Sequence, residues 1–74
     1  MEQPRFAICI DPGVDTDLTS GRVYRIMDDP QGKPHGYIRV FDNSGEDYLY
    51  PADDFVEIAV PAEATEAVVA ALAS

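Results

Sequence analysis

Seventy-four residues make a single domain, near the lower size at which one core holds without disulfides or metal. Fourteen Asp and Glu against five Lys and Arg leave a net charge of -9, which repels phosphate backbones and anionic lipid and favours a basic protein partner, or solubility alone. The 46 % hydrophobic content argues against wholesale disorder, no apolar run reaches the roughly 18 residues of a membrane span, and one cysteine cannot close an internal disulfide, which fits a reducing cytoplasm.

At the N-terminus, MEQPRF lacks the basic-then-apolar order of a secretory signal. RFAICI (5–10) reads as a central strand, with Phe6, Ile8 and Ile10 on one face and Ala7 and Cys9 on the other, both faces apolar. DPGVDTDLTSG (11–21) gathers the turn-forming residues and is expected to be a long loop anchored by Leu18 and Val14. RVYRIMD (22–28) alternates as a second strand, and DPQGKPHG (29–36) is a second turn cluster. YIRVFD (37–42) is a third strand, with Ile38 and Val40 facing one way and Tyr37, Arg39 and Phe41 the other. NSGE (43–46) places Gly45 where a hairpin needs positive φ, and DYLY (47–50) returns antiparallel.

Pro51 cannot donate to a ladder, so it ends that strand or lies at its edge. ADD (52–54) suits one 3₁₀ turn, and FVEIAV (55–60) resumes strand character. In the tail PAEATEAVVAALAS the period changes. Pro61 or Ala62 opens a helix in which Ala64, Val68 and Leu72 form an apolar stripe with Val69 beside it. A helix of about a dozen residues is marginal alone, so it must lie on the strands, pair with another chain, or fray. The expected fold is all-β: a small five-stranded SH3-like barrel over residues 1–60, with a short C-terminal α-helix over 61–74 packed on it or appended.

GEDYLYPADDFVEI (45–58) resembles the last hairpin of signalling SH3 domains. Pro51 matches the strand-ending proline, Ala52 the small residue, Asp53 the asparagine and Phe55 the aromatic before Val56, with Asp54 inserted. DLTSGRVYRI (17–26) resembles the segment leaving the long acidic loop. The chain has no tryptophan, and FAICID stands in place of the tyrosine-rich first strand that helps line a polyproline groove, so the resemblance does not extend to that ligand. With LTSGRVYRI before it, GYIRVFDNSGEDYLYPADDFV is similar to a family of short uncharacterised bacterial proteins that end in a helix and carry a Gly-Glu-Asp-Tyr-Leu-Tyr-Pro-Ala core. The likeness implies a stand-alone SH3-like barrel and no activity.

Catalysis is not expected. Cys9 lies mid-strand, where a thiol behaves as a small hydrophobe, and His35 stands in a Pro- and Gly-flanked turn. Asp11, Asp15 and Asp17 alternate on a loop, but the glycine and glutamate spacing of a calcium loop is missing, and Asp11 has an Asx-turn reading. Zinc lacks a ligand set, because there is one Cys and one His. No metal or other cofactor is expected.

The aromatic residues remain. Tyr48 and Tyr50 share one side of their strand; with Leu49 in the core, both rings stand on the outer face near Tyr37 or Tyr24. Beside Asp53 and Asp54, these tyrosines are the candidate binding residues for a basic or extended protein segment. The alternative is that one ring covers an edge and the other packs beneath the helix. Two further readings are a nucleic-acid-associated small barrel, which needs Arg22, Arg25, Lys33 and Arg39 on one face, and an acidic antagonist of a basic nucleic-acid-binding protein. A free strand edge or the helix could also make a homodimer.

Overall fold

The computed structural model describes residues 4–73, so the reading of residues 1–3 as free of a secretory signal, like Ser74, lies outside the described residues. The β-branched and aromatic runs form β1 (Arg5–Cys9), β2 (Val23–Met27), β3 (Tyr37–Phe41), β4 (Asp47–Pro51) and β5 (Phe55–Ile58). They make one antiparallel sheet in the order β4-β3-β2-β1-β5. The fold is all-β with one short C-terminal helix, α1 (Thr65–Leu72).

Chemistry at the turns fixes these connections. Gly45 takes φ 85 in the hairpin between β3 and β4, where a side chain would be strained. The 3₁₀ turn Ala52–Asp54 links the two outer strands and is fastened at both ends. Ala52 N–H donates to the Gly36 carbonyl at 2.9 Å, and the Asp54 carbonyl accepts from Ile10 N–H at 2.9 Å and Asp11 N–H at 3.3 Å.

Cross-strand register builds the core. Ala7 lies opposite Tyr24, Cys9 opposite Phe55 and Ile26 opposite Val40, so their side chains share the inner face. Leu18 reaches in from the long loop, and Ile38 and Tyr50 pack against the cluster. The Tyr24 and Tyr50 rings each stand edge-on to Phe55 with centroids 6.3 Å away. On the opposite face Phe6 is buried, and α1 lies against β2, where Val69 and Leu72 border a crevice of about 210 Å³ with Val23 and Phe41. β1 is therefore covered on both sides, while Ile10, beyond its end, is exposed.

The expectation for β4 is inverted. Leu49 is not in the core: it lies opposite Arg39 on the outer face and is 41 % exposed. Tyr50 faces Ile38 and Tyr48 faces fully buried Val40, so both tyrosines are on the core side. Tyr-Leu-Tyr is apolar in either phase, and pairing with Val40 decides which phase turns inward. The helix also begins later than expected, because Ala62–Ala64 form a 3₁₀ turn and the α-helix opens at Thr65.

The segment 28–36 folds onto the outer face. Asp29 accepts from the Gln31 and Gly32 N–H groups, and Arg39 donates to it through Nε and Nη2 and to Asp47 through Nη1. Those hydrogen bonds, Arg39's first, hold the Asp29 carboxyl below the usual carboxylate range. Gly32 sits so close that a Cβ there would stand 3.2 Å from the side chains of Leu49 and Tyr37.

Candidate binding surface

The tyrosines do not form a single patch. Tyr24 is buried, its hydroxyl accepting from Thr19 N–H at 2.7 Å and donating to Asn43 Oδ1 at 2.8 Å. Tyr50 is half-buried and donates to Asp42 Oδ2 at 2.6 Å. Burial first, and then that carboxylate, push its phenol well above the ordinary range. Both rings are fixed by the core. Tyr37 is exposed at the other end of β3, beside a cleft of about 260 Å³ floored by Ala7, Ile26, Ile38 and Phe55.

Tyr48 is different. It is 48 % exposed, and its hydroxyl donates to Glu46 Oε2. Glu46, through that bond and its charge, raises the phenol, and Asp42 and Asp17 act on it in the same direction. Asp17 reaches this neighbourhood because its carbonyl accepts from Asn43 N–H at 2.8 Å. Asn43 also donates through Nδ2 to Thr19 Oγ1 at 3.0 Å and accepts from Arg22 Nη1 at 2.9 Å. One hairpin side chain thus staples the long loop to the β3–β4 turn. As a turn residue Asn43 gives no sequence sign of that long-range role.

Asp42 completes the site. Burial disfavours its charge, yet bonds from Ser44 Oγ, Tyr50 Oη and Ser44 N–H outweigh burial and hold the carboxyl below its usual range. Asp17, Glu46 and Tyr48 therefore make an acid-rimmed aromatic surface at one end of the sheet, with Asp42 buried beneath it. Asp53 and Asp54, also expected at the site, lie in the 3₁₀ turn. The Asp54 backbone holds the start of the long loop, and Asp53 is exposed.

The cations have internal partners. Arg5 bonds Glu57 at 2.7 Å and Asp28 at 2.8 Å, and Lys33 reaches Asp28 at 3.3 Å. Arg39 bridges Asp29 and Asp47, Arg22 lies 5.5 Å over the Tyr24 ring, and Arg25 lies 5.5 Å over Phe41. Among the described residues every Lys and Arg has an internal partner, whereas Asp17 and Glu46 have no cationic one.

The remaining candidates stay apart. Cys9 is fully buried, and burial pushes its thiol up. His35 is exposed in the 3₁₀ turn Lys33–His35. Asp11 closes an Asx turn by accepting from Gly13 N–H at 3.3 Å, and Asp15 adopts φ 58. Among the described residues no three His, Cys, Asp or Glu side chains are placed to share a metal ion. No helix among them is long and apolar enough to cross a membrane.

No family model, curated protein or solved structure matches the chain.

Proposed function

We propose that this chain is a non-catalytic protein-interaction module that holds a basic segment against the Tyr48 surface. The observation that carries the reading is the exposed Tyr48 ring beside the exposed Glu46 and Asp17, on a chain whose every described Lys and Arg has an internal partner. A tyrosine supplies large contact area at low entropic cost, and free carboxylates beside it attract a basic partner and repel an acidic one. The likeness to the short bacterial SH3-like proteins belongs to the same proposal. It is supported by strand order, by the 3₁₀ turn between β4 and β5, and by the terminal helix. A cytoplasmic setting agrees with the single reduced, buried Cys9.

A nucleic-acid-associated role has less support, because Arg22, Arg25, Lys33 and Arg39 are spread over rings and carboxylates. The test is affinity capture from the source cells with the native chain and with a Tyr48→Ala/Glu46→Gln variant whose fold is checked by circular dichroism. A basic protein retained by the native chain and lost from the variant supports the module. Identical profiles refute it, and a captured nucleic-acid-binding protein lost from the variant identifies the acidic antagonist instead.

A further inference from the structure

β4 has no buried residue, and its sheet partner is β3 alone. Which of its backbone groups are free follows from the ladder's phase. In an antiparallel pair, opposed residues alternate between exchanging hydrogen bonds with one another and pointing their N–H and C=O groups away. Asp42 N–H donates to the Glu46 carbonyl at 3.0 Å and Ala52 N–H donates to the Gly36 carbonyl at 2.9 Å, so bonded pairs close the ladder at both ends. Tyr37 N–H is taken by the Gly32 carbonyl, away from β4, as expected for a member of a non-bonded pair with Pro51. Tyr50 with Ile38 and Tyr48 with Val40 are therefore the bonded pairs. Asp47 and Leu49 turn their N–H and C=O groups outward, and Pro51 turns its carbonyl.

We infer that β4 takes an extended, lysine- or arginine-bearing segment of a partner protein as a sixth strand, paired to the outward groups of Asp47 and Leu49. The inference rests on the module reading above and adds its geometry. Strand addition gains backbone bonds while alternate side chains of the guest meet one face of the host. On the core-side face those host residues are Glu46, Tyr48 and Tyr50, with Asp17 and Asp42 beside them. A guest with a basic residue near Glu46 and an apolar one two positions along, over the tyrosines, matches that row. A second copy of this chain does not match, because its β4 brings the same acids and each copy carries -9. Pro51 limits the pairing to a short register.

The experiment uses the full chain labelled with ¹⁵N and a blocked peptide alternating lysine, threonine and valine so that lysines and valines share one face. Saturating peptide should slow amide exchange at Asp47 and Leu49 about tenfold or more and leave the amides of Tyr48 and Tyr50, already bonded to β3, little changed. Methylating alternate peptide nitrogens in one phase should abolish binding, and in the other phase leave it intact. A Leu49→Pro variant, which removes one outward N–H without touching a β3 bond, should weaken binding about tenfold while keeping the native spectrum elsewhere. If both methylated peptides bind like the parent, or the Asp47 and Leu49 amides are unaffected, the edge inference fails and the Tyr48 surface reading stands. Slowed exchange at these amides that depends on protein concentration without peptide makes the occupant a second copy and overturns the inference. Absence of any lysine-peptide binding overturns it and withdraws support from the basic partner as well.

Discussion

Replacing Asp42 by alanine tests the polar link between the hairpin and the core. Asp42 is 7 % exposed, and its carboxylate accepts from Tyr50 Oη at 2.6 Å and from Ser44 N–H at 2.9 Å, with Ser44 Oγ as a third donor. The bond from Tyr50 to a charged acceptor is worth about 1.5–3 kcal/mol, and the local turn bonds add about 1 kcal/mol. Asp42→Ala should therefore cost about 3 kcal/mol. A chain of 74 residues has a total stability of about 4–11 kcal/mol, so this is a large fraction. Tyr50→Phe, which keeps the ring on Phe55 and the Ser44 bonds, should cost about 1.5–3 kcal/mol. Urea unfolding followed by tyrosine emission, in a chain without tryptophan, gives both values and that of the double variant. The two effects should overlap by at least about 1 kcal/mol, and additivity within about 0.5 kcal/mol would refute the link. Acid gives an independent check. The folded carboxyl is held below its unfolded value of about 3.9, so its contribution is complete above that pH and lost as pH falls through the folded value. The gap between native and Asp42→Ala should narrow below about pH 4.

Phe55→Ala removes the ring on which Tyr24 and Tyr50 converge and should cost about 3–5 kcal/mol by thermal or urea unfolding, enough to leave much of the chain unfolded. The two glycines Gly45 and Gly32 should fail differently: Gly45→Ala costs about 1–2 kcal/mol through its positive φ alone, with open space around it. Gly32→Ala costs stability through crowding against Leu49 and the Tyr37 Cβ, so Leu49→Ala should partly rescue Gly32→Ala and leave Gly45→Ala unimproved in the same unfolding assay. Asp28, Asp29 and Glu57 are also held low by their arginine partners, so the native chain should lose stability steadily below about pH 4, read by circular dichroism against pH. Tyr48→Phe should leave the urea midpoint unchanged, because the hydroxyl bonds only exposed Glu46.

Most of the element order is legible in the residues. Alternation in 22–28 and 37–42, Gly45 at the hairpin and Pro51 before a short turn place β2, β3, β4 and the 3₁₀ turn. Local chemistry decides these features, so a local pattern reveals them. The faces of β4 are not legible, because Tyr48, Leu49 and Tyr50 offer apolar surface in both phases and only the pairing with Val40 chooses. The site suffers for the same reason. Of the tyrosines named in advance, Tyr24 and Tyr50 belong to the core, and Tyr48 alone stands both exposed and beside unpaired acids. Asn43, Asp29 and Asp42 act through contacts between distant segments, and their residue types signal no more than a turn.

Pairing of β1 with β5 has a consequence for how the chain reaches this state. β2, β3 and β4 follow one another through short connections and can zip together locally. The pair Phe6 and Ile58, and the Arg5 to Glu57 bonds beside it, join positions as much as 52 residues apart. Closing so long a segment loses chain entropy before its contacts repay it, and folds dominated by such pairings take milliseconds to seconds. The rate-limiting event should therefore be the docking of β1 onto β5, with the central hairpins already formed. During synthesis β1 emerges first and waits for its last neighbour, so Phe6, Ala7 and Cys9 lack that cover until residue 58 has left the ribosome.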